Sequence, residues 1–89
     1  MYSIFRTVSF KKQYKKLSTN DKGLLKEVIS LLVENISLDE KYKDHKLTGN
    51  FKDLRECHIK PDLLLIYKIN DDILELALVQ VGNHSSLFK

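Results

Sequence analysis

The chain has 89 residues, enough for one compact core and too few for a second, so positions 1–89 are read as a single domain. Hydrophobic residues supply 43% and charged residues 30%, a balance that excludes a disordered chain and predicts an ordinary globular fold. The net charge of +3 conceals a gradient, with seven basic residues against Asp21 alone through Lys26, then eight basic against eleven acidic residues. Charge gathered at one end suits a polyanionic partner, although a lysine-rich helix face is more often simply solvated. Cys57 is the single cysteine and cannot form an internal disulfide, which favours a reducing compartment. Met1 to Phe10 lacks the uninterrupted apolar core of a signal peptide, and no stretch approaches the roughly 20 apolar residues of a membrane helix. A cytoplasmic protein without a membrane partner is expected.

Residues 2–8 mix aromatic, β-branched and hydroxyl side chains, which predicts a first strand. Ser9 can cap a short helix whose apolar stripe is Phe10, Tyr14 and Leu17, while Lys11, Lys12, Lys15 and Lys16 fill the other face. Those lysines form like-charged pairs at i, i+4, a repulsion that a phosphate backbone would relieve. After the polar break at 17–21, Leu24, Val28, Leu32 and Ile36 form an i+4 series that predicts a second helix. From Ser37 to Gly49 the chain is polar and aperiodic, a connecting loop closed by a turn at Gly49-Asn50. Strands are then predicted over 52–60, 62–69 and 73–81, with turns at Pro61 and at Asn70-Asp71-Asp72. The run Leu63 to Tyr67 lacks polar alternation, as in a central strand covered on both faces. The expected fold is α+β in the order β-α-α-β-β-β, with two helices on one face of a mainly antiparallel four-stranded sheet.

Strand alternation puts Leu54, Glu56, His58 and Lys60 on one face and Arg55, Cys57 and Ile59 on the other, which is the natural core face. A carboxylate beside an imidazole favours the imidazolium, suiting a general acid or a cation facing phosphate. RNA cleavage needs a base for the ribose 2′-OH, positive charge for the phosphoryl oxygens and an acid for the leaving oxygen. Histidine can fill each of these roles near neutral pH, with neither a metal nor an enzyme nucleophile required. A lone histidine such as His45 is more often an ordinary surface residue, and Cys57 on the core face reads as an inert thiol. No HxH or HxxxH spacing pairs two metal ligands, and neither a glycine-rich phosphate loop nor a CxxC pair occurs. The residues by themselves lead to a basic α+β domain with a possible nuclease face.

Three stretches narrow this: Tyr42 to Leu47 with Gly49, Leu54 to Tyr67, and Gly82 to Phe88. In this order and spacing the chain resembles the YafQ-type toxins of bacterial type II toxin–antitoxin systems, a branch of the RelE superfamily. The resemblance implies a RelE-like, microbial-RNase-like fold that cleaves mRNA on the translating ribosome without a cofactor. It implies active-site roles for His45, His58, Asp62 and His84, a supporting acid at Glu56, and Phe88 against a substrate base. It implies that Lys11, Lys12, Lys15, Lys16 and Arg55 contact RNA, in a strongly salt-dependent manner. The implied partners are an antitoxin encoded alongside, mRNA and ribosomal RNA. One position departs from the family: many relatives carry arginine four residues before the final histidine, and here it is Gln80. Arg55 or a lysine then compensates, or the protein is a weakened enzyme that serves mainly to bind antitoxin or RNA.

Overall fold

A computed structural model describes residues 1–51 and 53–87, so Lys52, Phe88 and Lys89 lie outside the described residues. The first strand, β1 (Ser3–Arg6), is shorter than expected because Thr7 starts a helix rather than extending the strand. Its hydroxyl accepts from the Phe10 amide at 3.0 Å and donates to the Val79 carbonyl at 2.6 Å, so Thr7 and not Ser9 caps α1 (Val8–Lys15). Ser18 caps α2 (Thr19–Val33) in the same way through the Asp21 amide. Val28 and Leu32 of the expected stripe are buried together with the adjacent Leu25, Leu24 is partly buried, and Ile36 falls beyond the helix and is 50% exposed. The helix ends because Asn35 turns into the left-handed region (φ 58°), which takes Ile36 off the stripe.

The segment expected to be an irregular loop contains a 3-10 turn at Glu40–Tyr42 and a two-residue strand, β2 (His45–Lys46). With β3 (Arg55–Lys60), β4 (Leu63–Asn70) and β5 (Glu75–Gly82) the sheet has five strands, ordered β1-β5-β4-β3-β2. Among the described residues the β1–β5 pairing is parallel and the others are antiparallel. A short helix, α3 (His84–Leu87), follows β5. The core lies between one sheet face and the helices: Phe10, Leu25, Val28 and Leu32 meet Cys57, Ile59, Leu65, Tyr67, Leu76, Leu78 and Val81. Burial, reinforced by the nearby Asp44 and Glu56 charges, pushes the Cys57 thiol up to about 12, so it stays protonated at neutral pH. As expected for a strand covered on both faces, Leu64 and Ile66 on the far side of β4 are only 1% and 3% exposed.

Two bulges decide which side chains reach that far side. On β5, Gln80 pairs with Ile66 and Leu78 with Tyr67, leaving Val79 as the extra residue. In a regular strand Leu78 and Gln80 would share a face; the bulge keeps Leu78 in the core and turns Gln80 outward. On β3, His58 pairs with Leu64 and Lys60 with Leu63, so the alternation expected through Lys60 stops at Ile59. Lys60 instead points to the helix side, where its Nζ lies 2.9 Å from Asp21 Oδ1.

The outer edge of β5 is paired by β1 only through Leu78. Beyond that point α1 seals it: the Thr7 hydroxyl takes the Val79 carbonyl, and Gln13 Oε1 accepts the Val81 amide at 2.8 Å.

Candidate active site

Residues directly opposite each other in a sheet project to the same face. The register therefore aligns His45, Glu56, Ile66 and Gln80 in one row across β2, β3, β4 and β5. A second row holds His58, Leu64 and Gly82. Gly82 is constrained, because a Cβ there would sit 3.0 Å from Ser86 Oγ and 3.3 Å from Leu87 Cδ2. That contact shows α3 folded back over this face of the sheet and places His84, its first residue, two positions past the His58 row.

Glu56 is the centre of the arrangement. It is only 5% exposed, and its Oε1 lies 3.5 Å from His58 Nε2 and 3.8 Å from His45 Nε2. Both distances exceed hydrogen-bond length, so the contacts are electrostatic when an imidazole is protonated. Burying a carboxylate is costly unless positive charge compensates it, and the two imidazoles are its neighbours on this face. His45 is oriented from its other nitrogen: Nδ1 lies 2.7 Å from the Lys43 carbonyl, which can only accept, so Nδ1 carries a proton and Nε2 faces Glu56. The left-handed backbone of Lys43 (φ 49°) ends the 3-10 turn and presents that carbonyl.

The remaining expected residues are spread more widely. Asp62 sits in the β3–β4 turn and lines a separate polar cavity of about 490 Å³ with Gln13, Lys16, Asp21, Gly82 and Asn83. Lys11 and Lys15 border an apolar groove between β1, α1 and α2, whereas Lys16 faces the cavity of Asp62, so the four lysines do not act as one face. Lys12 is exposed. Phe88 lies outside the described residues.

Arg55 does not stand in for the missing arginine. It projects from the core side of β3, where Nη2 donates to Asp44 Oδ2 at 3.0 Å and Nε to the Tyr67 hydroxyl at 3.3 Å. Its bond to Asp44 holds the guanidinium above its ordinary basicity against the effect of burial. Tyr67 also donates to Asp44, and burial followed by that bond raises its phenol well above the usual range. Asp44 and Tyr67, neither singled out from the sequence, thereby anchor the segment that delivers His45. The only sequence signal for Asp44 was its place immediately before that histidine. Gln13 was also missed; it is the one side-chain amide on α1, and it reaches Gln80 Oε1 through Nε2 at 3.4 Å.

Residues 2–89 match the family described as a bacterial toxin of a type II toxin–antitoxin system, YafQ. The chain belongs to the YafQ toxin family. A YafQ relative named as an mRNA interferase toxin, from Escherichia coli K12, is 36% identical over 92 residues, covering 96% of this chain and 98% of that protein. A copper-bound mutant toxin from Helicobacter pylori is 43% identical, with a TM-score of 0.90 over 99% of this chain and 100% of that one. The YafQ of an E. coli DinJ–YafQ toxin–antitoxin complex is 34% identical, with a TM-score of 0.86 over 99% of this chain and 98% of that one. In this YafQ-family chain both imidazoles converge on one Glu56 oxygen, and among its described residues no group of three or more His, Cys, Asp or Glu side chains is placed to hold an ion.

Proposed function

We propose that this chain is the toxin of a type II toxin–antitoxin pair and acts as an endoribonuclease that cleaves mRNA, associated with the ribosome, in the cytoplasm. The observation that carries the chemistry is the single buried carboxylate of Glu56 flanked by the Nε2 atoms of His45 and His58. Cleavage needs one group to take a proton and another to give one, and His45 and His58, held on either side of the same carboxylate, are the pair assigned to those two tasks. A histidine base takes the 2′-OH proton, O2′ attacks phosphorus, the P–O5′ bond breaks, and a histidine acid protonates the leaving 5′ oxygen. The products are a 2′,3′-cyclic phosphate and a 5′-hydroxyl, and no metal enters the sequence of steps. His84 at the start of α3 and Asp62 in the β3–β4 turn complete the proposed machinery, with Phe88 against a substrate base. Lys12 on α1 and Lys16 at its C-terminal cap are the cations assigned to the RNA backbone.

Support for the substrate comes from the E. coli relative named as an mRNA interferase, and support for an antitoxin partner from the E. coli toxin–antitoxin complex. The test adds purified protein to a translating extract and maps message ends. Wild-type protein is expected to generate new 5′-hydroxyl ends that His84→Ala does not, and identical patterns from the two would overturn the reading.

A weakened toxin that mainly binds is the second reading, favoured by Gln80, since a neutral amide brings no charge to the phosphate. Gln80→Arg is expected to raise cleavage about 10- to 100-fold, the scale of one electrostatic contact in a transition state. Unaltered cleavage by Gln80→Arg removes the argument from charge.

A further inference from the structure

The backbone amide of Val81 fixes more than the edge of the sheet. An N–H can only donate, so the atom of Gln13 that it meets at 2.8 Å is the amide oxygen. The opposite end of Gln13 is then its NH2, and that end faces Gln80 Oε1 at 3.4 Å. A side-chain amide is two-faced, and nothing in Gln80 itself decides which end turns toward substrate. Here the decision is relayed from the backbone: Gln13 holds the oxygen of Gln80 toward α1, which directs the Gln80 NH2 away from it. The β5 bulge has already set Gln80 in the row of His45 and Glu56.

We propose that Gln13 is a positioning residue that orients the Gln80 amide so that its NH2 donates to a phosphoryl oxygen of the scissile phosphate. The inference rests on the nuclease reading above and deepens it. Without Gln13, Gln80 would present donor and acceptor ends about equally, and a carbonyl oxygen turned to phosphate repels it. The chain thus builds a fixed donor where relatives place an arginine, and the donor's direction is supplied by the first helix rather than by charge.

The discriminating variant is Gln13→Glu. Its carboxylate still accepts from Val81 but cannot donate to Gln80, so Gln80 rotates to donate toward α1 and turns its oxygen to the site. Cleavage in the translating extract is expected to fall about 10- to 100-fold in kcat with KM changed less than threefold and the melting temperature preserved. In a Gln80→Ala background the same Gln13→Glu change is expected to have no further effect, because the residue it orients is gone. A readout independent of cleavage is the Gln80 side-chain NH2 pair in 15N–1H spectra, assigned by its loss in Gln80→Ala. Adding a 2′-deoxy RNA oligonucleotide is expected to shift this pair in wild type and leave it unmoved in Gln13→Glu. Wild-type cleavage by Gln13→Glu, or an equal loss in the Gln80→Ala background, overturns the inference. If wild type and His84→Ala cut alike, the nuclease reading has failed instead, and the spectrum alone decides: an equal response in wild type and Gln13→Glu overturns the orienting role.

Discussion

His58→Ala is expected to lower message cleavage by about 100-fold or more, the scale of removing one positioned acid or base. The effect should be large because His58 is coupled to a buried charge as well as to the reaction. Its loss also leaves the buried Glu56 carboxylate with His45 as its remaining imidazole neighbour on this face, at 3.8 Å. Glu56→Gln separates the two contributions, since it keeps shape and removes the charge. It should cost less than His58→Ala, because the imidazole that exchanges the proton is still present. Initial rates between pH 5 and pH 9, with folding checked by circular dichroism, provide the measurement. Cleavage by His58→Ala within threefold of wild type would show that this histidine takes no part in the chemistry.

Asp44→Ala is expected to destabilise the fold by about 2–3 kcal/mol, because it orphans two donors at once. Arg55 loses its only carboxylate contact among the described residues, and the hydroxyl of the buried Tyr67 is left with Arg55 alone. The side chains retain some solvent contact, which holds the cost below that of a fully buried pair. Asp44→Asn should recover part of the loss, since an amide oxygen still accepts from Tyr67, and Tyr67→Phe should cost less than Asp44→Ala because it removes one hydroxyl. Urea unfolding midpoints rank the three. Cleavage should fall in Asp44→Ala even where the protein remains folded, because Asp44 ties the short β2 strand, and with it His45, to β3 and β4.

Local pattern carried most of the fold and the heart of the site. The i+4 series located α2, and strand alternation set Glu56 and His58 on one face with Cys57 and Ile59 buried opposite. The failures have a common cause, which is information held in another part of the chain. Thr7 outcompeted Ser9 as a cap because its hydroxyl also reaches Val79, a residue 72 positions later. Lys60 left the expected face, and Gln80 joined it, through bulges that only strand pairing creates. β2 is two residues long, too short for any period to show. Arg55 looked like a free cation until Asp44 and Tyr67 closed around it. The resemblance to YafQ toxins supplied the candidate positions, but it could not say that Gln80 is met by a side chain on α1.

The parallel pairing of β1 with β5 also governs how the molecule comes together. Ser3 aligns with Glu75, so this contact closes a loop of more than 70 residues, whereas the β3–β4 and β4–β5 hairpins close over short turns. Loop-closure entropy places the hairpins early in folding and the docking of β1 late. Until β1 and α1 arrive, the Val79 carbonyl and Val81 amide lie on an open strand edge, and Gln80 has nothing to hold it. The Gln80 end of the candidate site is therefore a late product of folding, gained when the first strand and helix dock on β5.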